Sequence, residues 1–176
     1  MKRLTEISWD ILPANFEDFI ADAKEKMSEP ESAAALFVVA LKMYMESPEE
    51  GKKCLDFITY KSPSEPLMYL PSIESIAKTQ IYLPDSYFSG ASPENGYHHE
   101  KPHRVFVKSD NSKGLRSDMK TVYIGCSGSG NYRPITLRSI PEEKTDRYYK
   151  QLKPAGDMWF VADFISLLID VRKPVK

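Results

Sequence analysis

The stretch from Ala33 to Met45 admits few folds. Leu36, Phe37, Val38, Val39, Leu41, Met43, Tyr44 and Met45 point in every direction around a helix, and Lys42 is the single charge among them. A helix apolar on all faces is a central one, covered on most sides. Its unbroken apolar run, Ala33 to Leu41, falls well short of the roughly 18 residues of a membrane span. The cover must therefore come from the rest of the chain. Ser28-Glu29-Pro30-Glu31 ahead of it reads as a capping box with Pro in the first turn.

Helices are expected on both sides. Asn15 is a good N-cap, with Asp18 three residues on. Phe16, Phe19, Ile20, Ala23 and Met27 then form one stripe on an otherwise charged helix. Ser47-Pro48-Glu49-Glu50 repeats the capping signature, and Cys54, Leu55, Phe57 and Ile58 give the following helix a buried side. No longer self-similarity follows, so this is not a repeat protein.

Residues 61–102 hold six of the thirteen prolines, together with Met68, Tyr69, Leu70, Ile73, Ile76, Tyr82, Leu83, Tyr87 and Phe88. A linker would not carry so many large apolar groups. The segment reads as ordered chain wrapping the core, with one short helix near Ser72–Lys78.

From 103 onward the period changes to two. Val105 and Val107 alternate with Arg104, Phe106 and Lys108. Thr121-Val122-Tyr123-Ile124 is β-branched and aromatic, and Pro134-Ile135-Thr136-Leu137-Arg138 alternates again. The turn Pro154-Ala155-Gly156-Asp157 leads into Met158-Trp159-Phe160-Val161-Ala162. Ile165 to Val171 reads as a last strand or short helix. Helices first and strands afterwards is the α+β order, with an antiparallel sheet.

With 176 residues the chain fits one domain, taken here as 1–176: helices about 14–60, the wrapping segment 61–102, and sheet 103–172. The net charge of −1 hides a split. Residues 1–100 carry 9 basic and 17 acidic side chains, and residues 101–176 carry 15 and 8. The plain reading is an acidic helical layer attracted to a basic sheet; weak head-to-tail self-association is the other. No block of Lys/Arg marks a nucleic-acid footprint. The first ten residues lack a signal-peptide core. Cys54 and Cys126 are too few for a disulfide framework and read as reduced thiols. A cytoplasmic protein is expected, with no membrane and no nucleic-acid partner.

Several constellations bear on chemistry. Gly125-Cys126-Ser127-Gly128-Ser129-Gly130 follows a strand but fails as a nucleophile elbow, because Ser129 stands at the fifth position and a strand follows. It lacks the Lys-Ser/Thr of a phosphate loop. It reads as a hairpin connection or as an anion-binding nest assisted by Arg133. His98, His99 and His103 cluster in sequence. Adjacent histidines in extended chain point apart, and Pro102 opposes the helix that an i, i+4 metal pair needs. Solvated histidines are the plain reading, a metal or an acid/base role the alternatives. Asp163 is placed on one strand face with Trp159 and Val161, as a base beside an apolar lining with Arg138 near; the plain reading is a strand-end carboxylate. Tyr82, Tyr87, Phe88 and Tyr97 either display a partner surface or close the core.

The runs Tyr82–Tyr97, Arg133–Arg138 and Gly156–Phe160, with Ser166-Leu167-Leu168 and Val171-Arg172, resemble a family of uncharacterised bacterial domains, mainly of gut-type Gram-positive bacteria. The resemblance covers roughly residues 68–174. The stretch Ser139–Pro154 departs from it as a longer hairpin. The resemblance implies a compact bacterial domain and transfers no catalytic residue. Helices followed by an antiparallel sheet ending in Gly-Asp-Met-Trp-Phe-Val are also similar to cone-shaped NTF2-like domains, which carry a pocket between helices and sheet.

The expected function is a non-enzymatic binding or interaction module of a bacterial cell, meeting an unknown protein partner or small ligand without cofactor or metal. The alternative is an NTF2-like pocket protein. Candidate ligand-binding residues are Tyr87, Phe88, Tyr97, Arg133, Arg138, Trp159 and Asp163.

Overall fold

The computed structural model describes residues 2–62, 64–110, 116–141 and 156–175. The elements run β1 (Lys2–Trp9), α1 (Phe16–Lys26), α2 (Pro30–Glu46), α3 (Pro48–Ile58), α4 (Leu70–Thr79), β2 (His103–Asp110), β3 (Met119–Cys126), β4 (Asn131–Ile140) and β5 (Met158–Asp163). Short 3-10 turns cover Leu83–Tyr87, Pro93–Asn95 and Ile165–Leu168. The fold is α+β, with helices laid on one face of an antiparallel sheet of order β1-β2-β3-β4-β5.

The apolar α2 lies across all five strands. Ala33 to Leu41 is entirely buried, and Phe37 packs on Phe164 with ring centroids 4.5 Å apart. Val105, Val107, Val122, Ile124, Ile135 and Leu137 supply the sheet side of this core. Side chains alternate along each strand, and among the described residues no helix packs on the other sheet face.

The order "helices, then strands" needs correcting at its start. Lys2–Trp9 is a strand paired along its whole length with β2, from Lys2↔Asp110 to Trp9↔His103. Ile7 and Trp9 are buried, while Leu4, Glu6 and Ser8 are exposed. Trp9 Nε1 donates to Asp22 Oδ2 at 2.6 Å, which ties β1 to α1.

Asn15 caps α1 as expected, accepting from the Asp18 amide at 2.9 Å. Neither later capping box forms. Glu29 and Ser47 stand at the N-cap positions without a side-chain cap bond. The Glu50 carboxylate instead accepts from the Phe16 amide at 3.3 Å, a bond between α3 and the start of α1. Tertiary contacts have taken groups that local capping would use. The expected short helix near Ser72–Lys78 is α4, and Ile165 onward forms a 3-10 turn rather than a strand. Most of the long Ser139–Pro154 connection, with Pro154 and Ala155 of the expected turn, lies outside the described residues.

Candidate functional site

The aromatic segment 82–97 faces inward. Tyr87, Phe88 and Tyr97 are buried. Tyr87 donates its hydroxyl to the Leu167 carbonyl at 2.7 Å, and Tyr97 donates to the Arg172 carbonyl. Tyr82 stacks on Tyr97 at 5.4 Å. These rings hold the C-terminal segment against the sheet, so the expectation of an outward ligand surface there gives way to core closure.

Arg133 is engaged in the same way. Its guanidinium donates to the carbonyls of Ser166 (2.9 Å), Ile169 (2.6 Å) and Asp170 (2.8 Å), and to Ser129 Oγ at 3.2 Å. It clamps residues 166–170 and holds Ser129 of the 125–130 loop, so four of its N–H donors serve protein oxygens rather than an anion nest. Arg138 pairs with Asp118 at 3.3 Å and lies 4.5 Å over the Tyr60 ring. Trp159 is half-buried, and its amide donates to the Met27 carbonyl at 2.8 Å.

Asp163 is exposed. It accepts from the Tyr69 hydroxyl at 3.2 Å and from the Ile165 amide at 3.1 Å. The ladder slips between Thr136 and Leu137, which pair with Asp163 and Val161. This bulge breaks the alternation that would carry Asp163 to the face of Val161. The seven candidates therefore do not converge on one site.

A polar network forms where α2 meets the segment before β2. Asp85 Oδ1 accepts from Lys42 Nζ at 2.8 Å and from His99 Nε2 at 2.7 Å. His99 Nδ1 lies 2.8 Å from Nδ1 of His103. Phe88 stacks flat on His99 at 4.3 Å. His99 thus bridges Asp85 through Nε2 and His103 through Nδ1, its donor and acceptor roles set by the tautomer. Burial pushes the Asp85 carboxyl up, but the hydrogen bonds from His99 and Lys42 outweigh it and hold the carboxyl below its ordinary range. Burial lowers the His103 pKa, and the nearby His99 and Lys42 charges lower it further. His98, by contrast, is exposed beside Glu100 at 3.4 Å. A cleft of about 400 Å³, lined by Asn95, His98, His99, Glu100, Lys101 and Arg104 among others, opens beside this network. Among the described residues, no three His, Cys, Asp or Glu side chains converge as a metal-ligand set.

The helix-free sheet face presents a second arrangement. Leu4, Lys108, Tyr123 and Pro134 stand directly opposite one another across four strands. Leu4 is 55% and Tyr123 39% exposed. Half-buried Phe106 and Tyr132 share this face. Lys108 Nζ sits 3.9 Å from the Tyr132 ring centre, which lies over Gly125. The solvated face of an antiparallel sheet ordinarily reads as polar. Here a cation is set among aromatic and aliphatic groups.

A sequence profile described as "Domain of unknown function (DUF6935)" matches residues 11–175. The chain belongs to the DUF6935 family. No curated protein and no solved structure matches it. The match spans the helices, the histidine network and strands β2–β5, while β1 with Leu4 lies ahead of it. Among the described residues, no helix of this DUF6935 member is long and apolar enough to cross a membrane.

Proposed function

We propose that the domain is a non-enzymatic binding module that docks a protein segment on the helix-free face of its sheet. The observation that carries this reading is the row Leu4–Lys108–Tyr123–Pro134, exposed at Leu4 and Tyr123 and half-buried at Lys108 and Pro134. Aromatic and apolar groups around a cation are the composition of docking surfaces, whereas a face meant only for water is polar. Lys108, with Arg104 already paired to Glu6 at 3.2 Å, selects a partner with carboxylates beside aromatic or aliphatic side chains. Free buried Cys54 and Cys126 support a cytoplasmic setting, and the resemblance noted above supports a bacterial one.

A displayed random-peptide library tests this. It is selected on the whole chain and counter-selected on a Lys108→Glu/Tyr123→Ser variant. Enriched peptides should combine Asp or Glu with large apolar residues and bind the variant about tenfold more weakly. Peptides that bind both proteins equally would refute the reading.

The cleft beside His99 supports a second reading, a site for a small anion met by His98, Lys101 and Arg104. Titration with inorganic phosphate and with acetate, read on the histidine ring signals, decides it. Unmoved rings would remove this alternative.

A further inference from the structure

The two edges of the sheet are finished differently. At β5 the chain leaving α3 covers the edge. Thr59 bridges Val161, the Tyr60 amide donates to the Val161 carbonyl at 2.7 Å, and the Met27 carbonyl takes the Trp159 amide. At β1, among the described residues, nothing pairs with the outer edge. The strand is eight residues long and holds no Pro or Gly. Such an edge is a template for another strand.

We propose that a second copy of this chain supplies that strand, β1 pairing antiparallel with β1 of its partner about a two-fold axis through Leu4. The register follows from the side chains. A two-fold axis perpendicular to the sheet keeps the same face outward in both copies, so opposed residues have the same parity. Centring on Leu4 sets Leu4 against Leu4, Lys2 against Glu6, and Arg3 against Thr5. Two of these matches, at Leu4 and Thr5, answer something the single chain leaves open. Leu4 is the exposed apolar end of the sheet-face row. Lys2 and Glu6 bring opposite charges together twice, once on each side of the axis, and each Glu6, already paired with Arg104 at 3.2 Å within its own chain, gains a second cation. The Thr5 hydroxyl is buried without a hydrogen-bond partner, and an Arg3 donor arrives beside it. Neighbouring registers lose these matches. Centring on Arg3 opposes two guanidinium groups, centring on Glu6 opposes two carboxylates, and centring on Thr5 sets Glu6 against Leu4. The pairing would join the two Leu4–Lys108–Tyr123–Pro134 rows into one stripe. It stands independently of what docks on that stripe.

Sedimentation of the whole chain gives the first test, with a species of twice 20.1 kDa expected at high concentration. Lys2→Glu makes positions 2 and 6 both acidic, and Glu6→Lys makes both basic. Either variant alone should dimerise about tenfold more weakly, while their equimolar mixture should recover pairing at the wild-type concentration. Near-ultraviolet circular dichroism confirms that each variant is folded. Leu4→Cys should crosslink between copies, and Tyr123→Cys, two strands in from that edge, should not. A chain that stays monomeric, a mixture no better than its components, or crosslinking at Tyr123→Cys in place of Leu4→Cys would overturn the proposal.

Discussion

Nδ1 of His99 lies 2.8 Å from Nδ1 of His103, although no helix joins them. The four-residue spacing is met by a bent segment that returns His99 over Phe88 while β2 begins at His103. The pair is held from behind by Asp85, which in turn is held by Lys42 on the central helix.

The His103 ring should make stability depend on pH. Its pKa lies below the ordinary 6.5 in the folded chain. The unfolded chain therefore takes up the proton first. The contribution is fully present above that value and declines as pH falls through it. Urea midpoints should drop between pH about 7.5 and about 5.5, and His103→Asn should flatten the drop. A variant with the wild-type slope would contradict this.

Asp85→Ala should cost about 2–3 kcal/mol in chemical denaturation near neutral pH, because it takes the carboxylate from His99 Nε2 and leaves Lys42 only the exposed Glu46 at 3.1 Å. The side chains of Lys42 and His99 are only 20% and 5% exposed, so water compensates poorly. A loss below about 0.5 kcal/mol would mark the network as a solvated surface pair.

Gly51 is where α3 crosses α2. A Cβ there would stand 2.1 Å from Tyr44 Cα and 2.2 Å from Tyr44 N, against helix backbone that cannot swing aside. Gly51→Ala should destabilise by about 3 kcal/mol or more, opposite in sign to the usual gain from Gly→Ala within a helix. A thermal midpoint at or above wild type would show that the helices do not approach this closely.

Arg133→Met should free the carbonyls of Ser166, Ile169 and Asp170. About 2 kcal/mol of stability should be lost, with faster amide exchange confined to residues 165–172. Unchanged exchange there would assign Arg133 to something other than the clamp.

Much of this architecture is legible in the sequence, because burial leaves a period. The all-round apolar α2, the stripe of α1 and the alternation in β2–β4 each state which side is covered. β1 is harder to read. Its alternation lies in Thr5, Ile7 and Trp9, interleaved with charges, and its partner β2 is a hundred residues away. The site is least legible. Asp163 sits past a bulge that inverts parity. Arg133 is one guanidinium whose use depends on carbonyls that only the fold brings near. The contact between His99 and Asp85 has no local signal, since it depends on how the 83–103 segment packs on α2. The Leu4–Lys108–Tyr123–Pro134 row needs the register of four strands, which periodicity alone does not set.

Amide and side-chain shifts of the whole chain, titrated with a peptide from the selection described above, test the docking face most directly. Shifts should cluster at Leu4, Phe106, Lys108, Tyr123 and Tyr132, leaving α1, α3 and the histidine network still. Shifts centred on His98, His99 and Lys101, or spread over the helical layer, would contradict the assignment of the helix-free face as the binding surface.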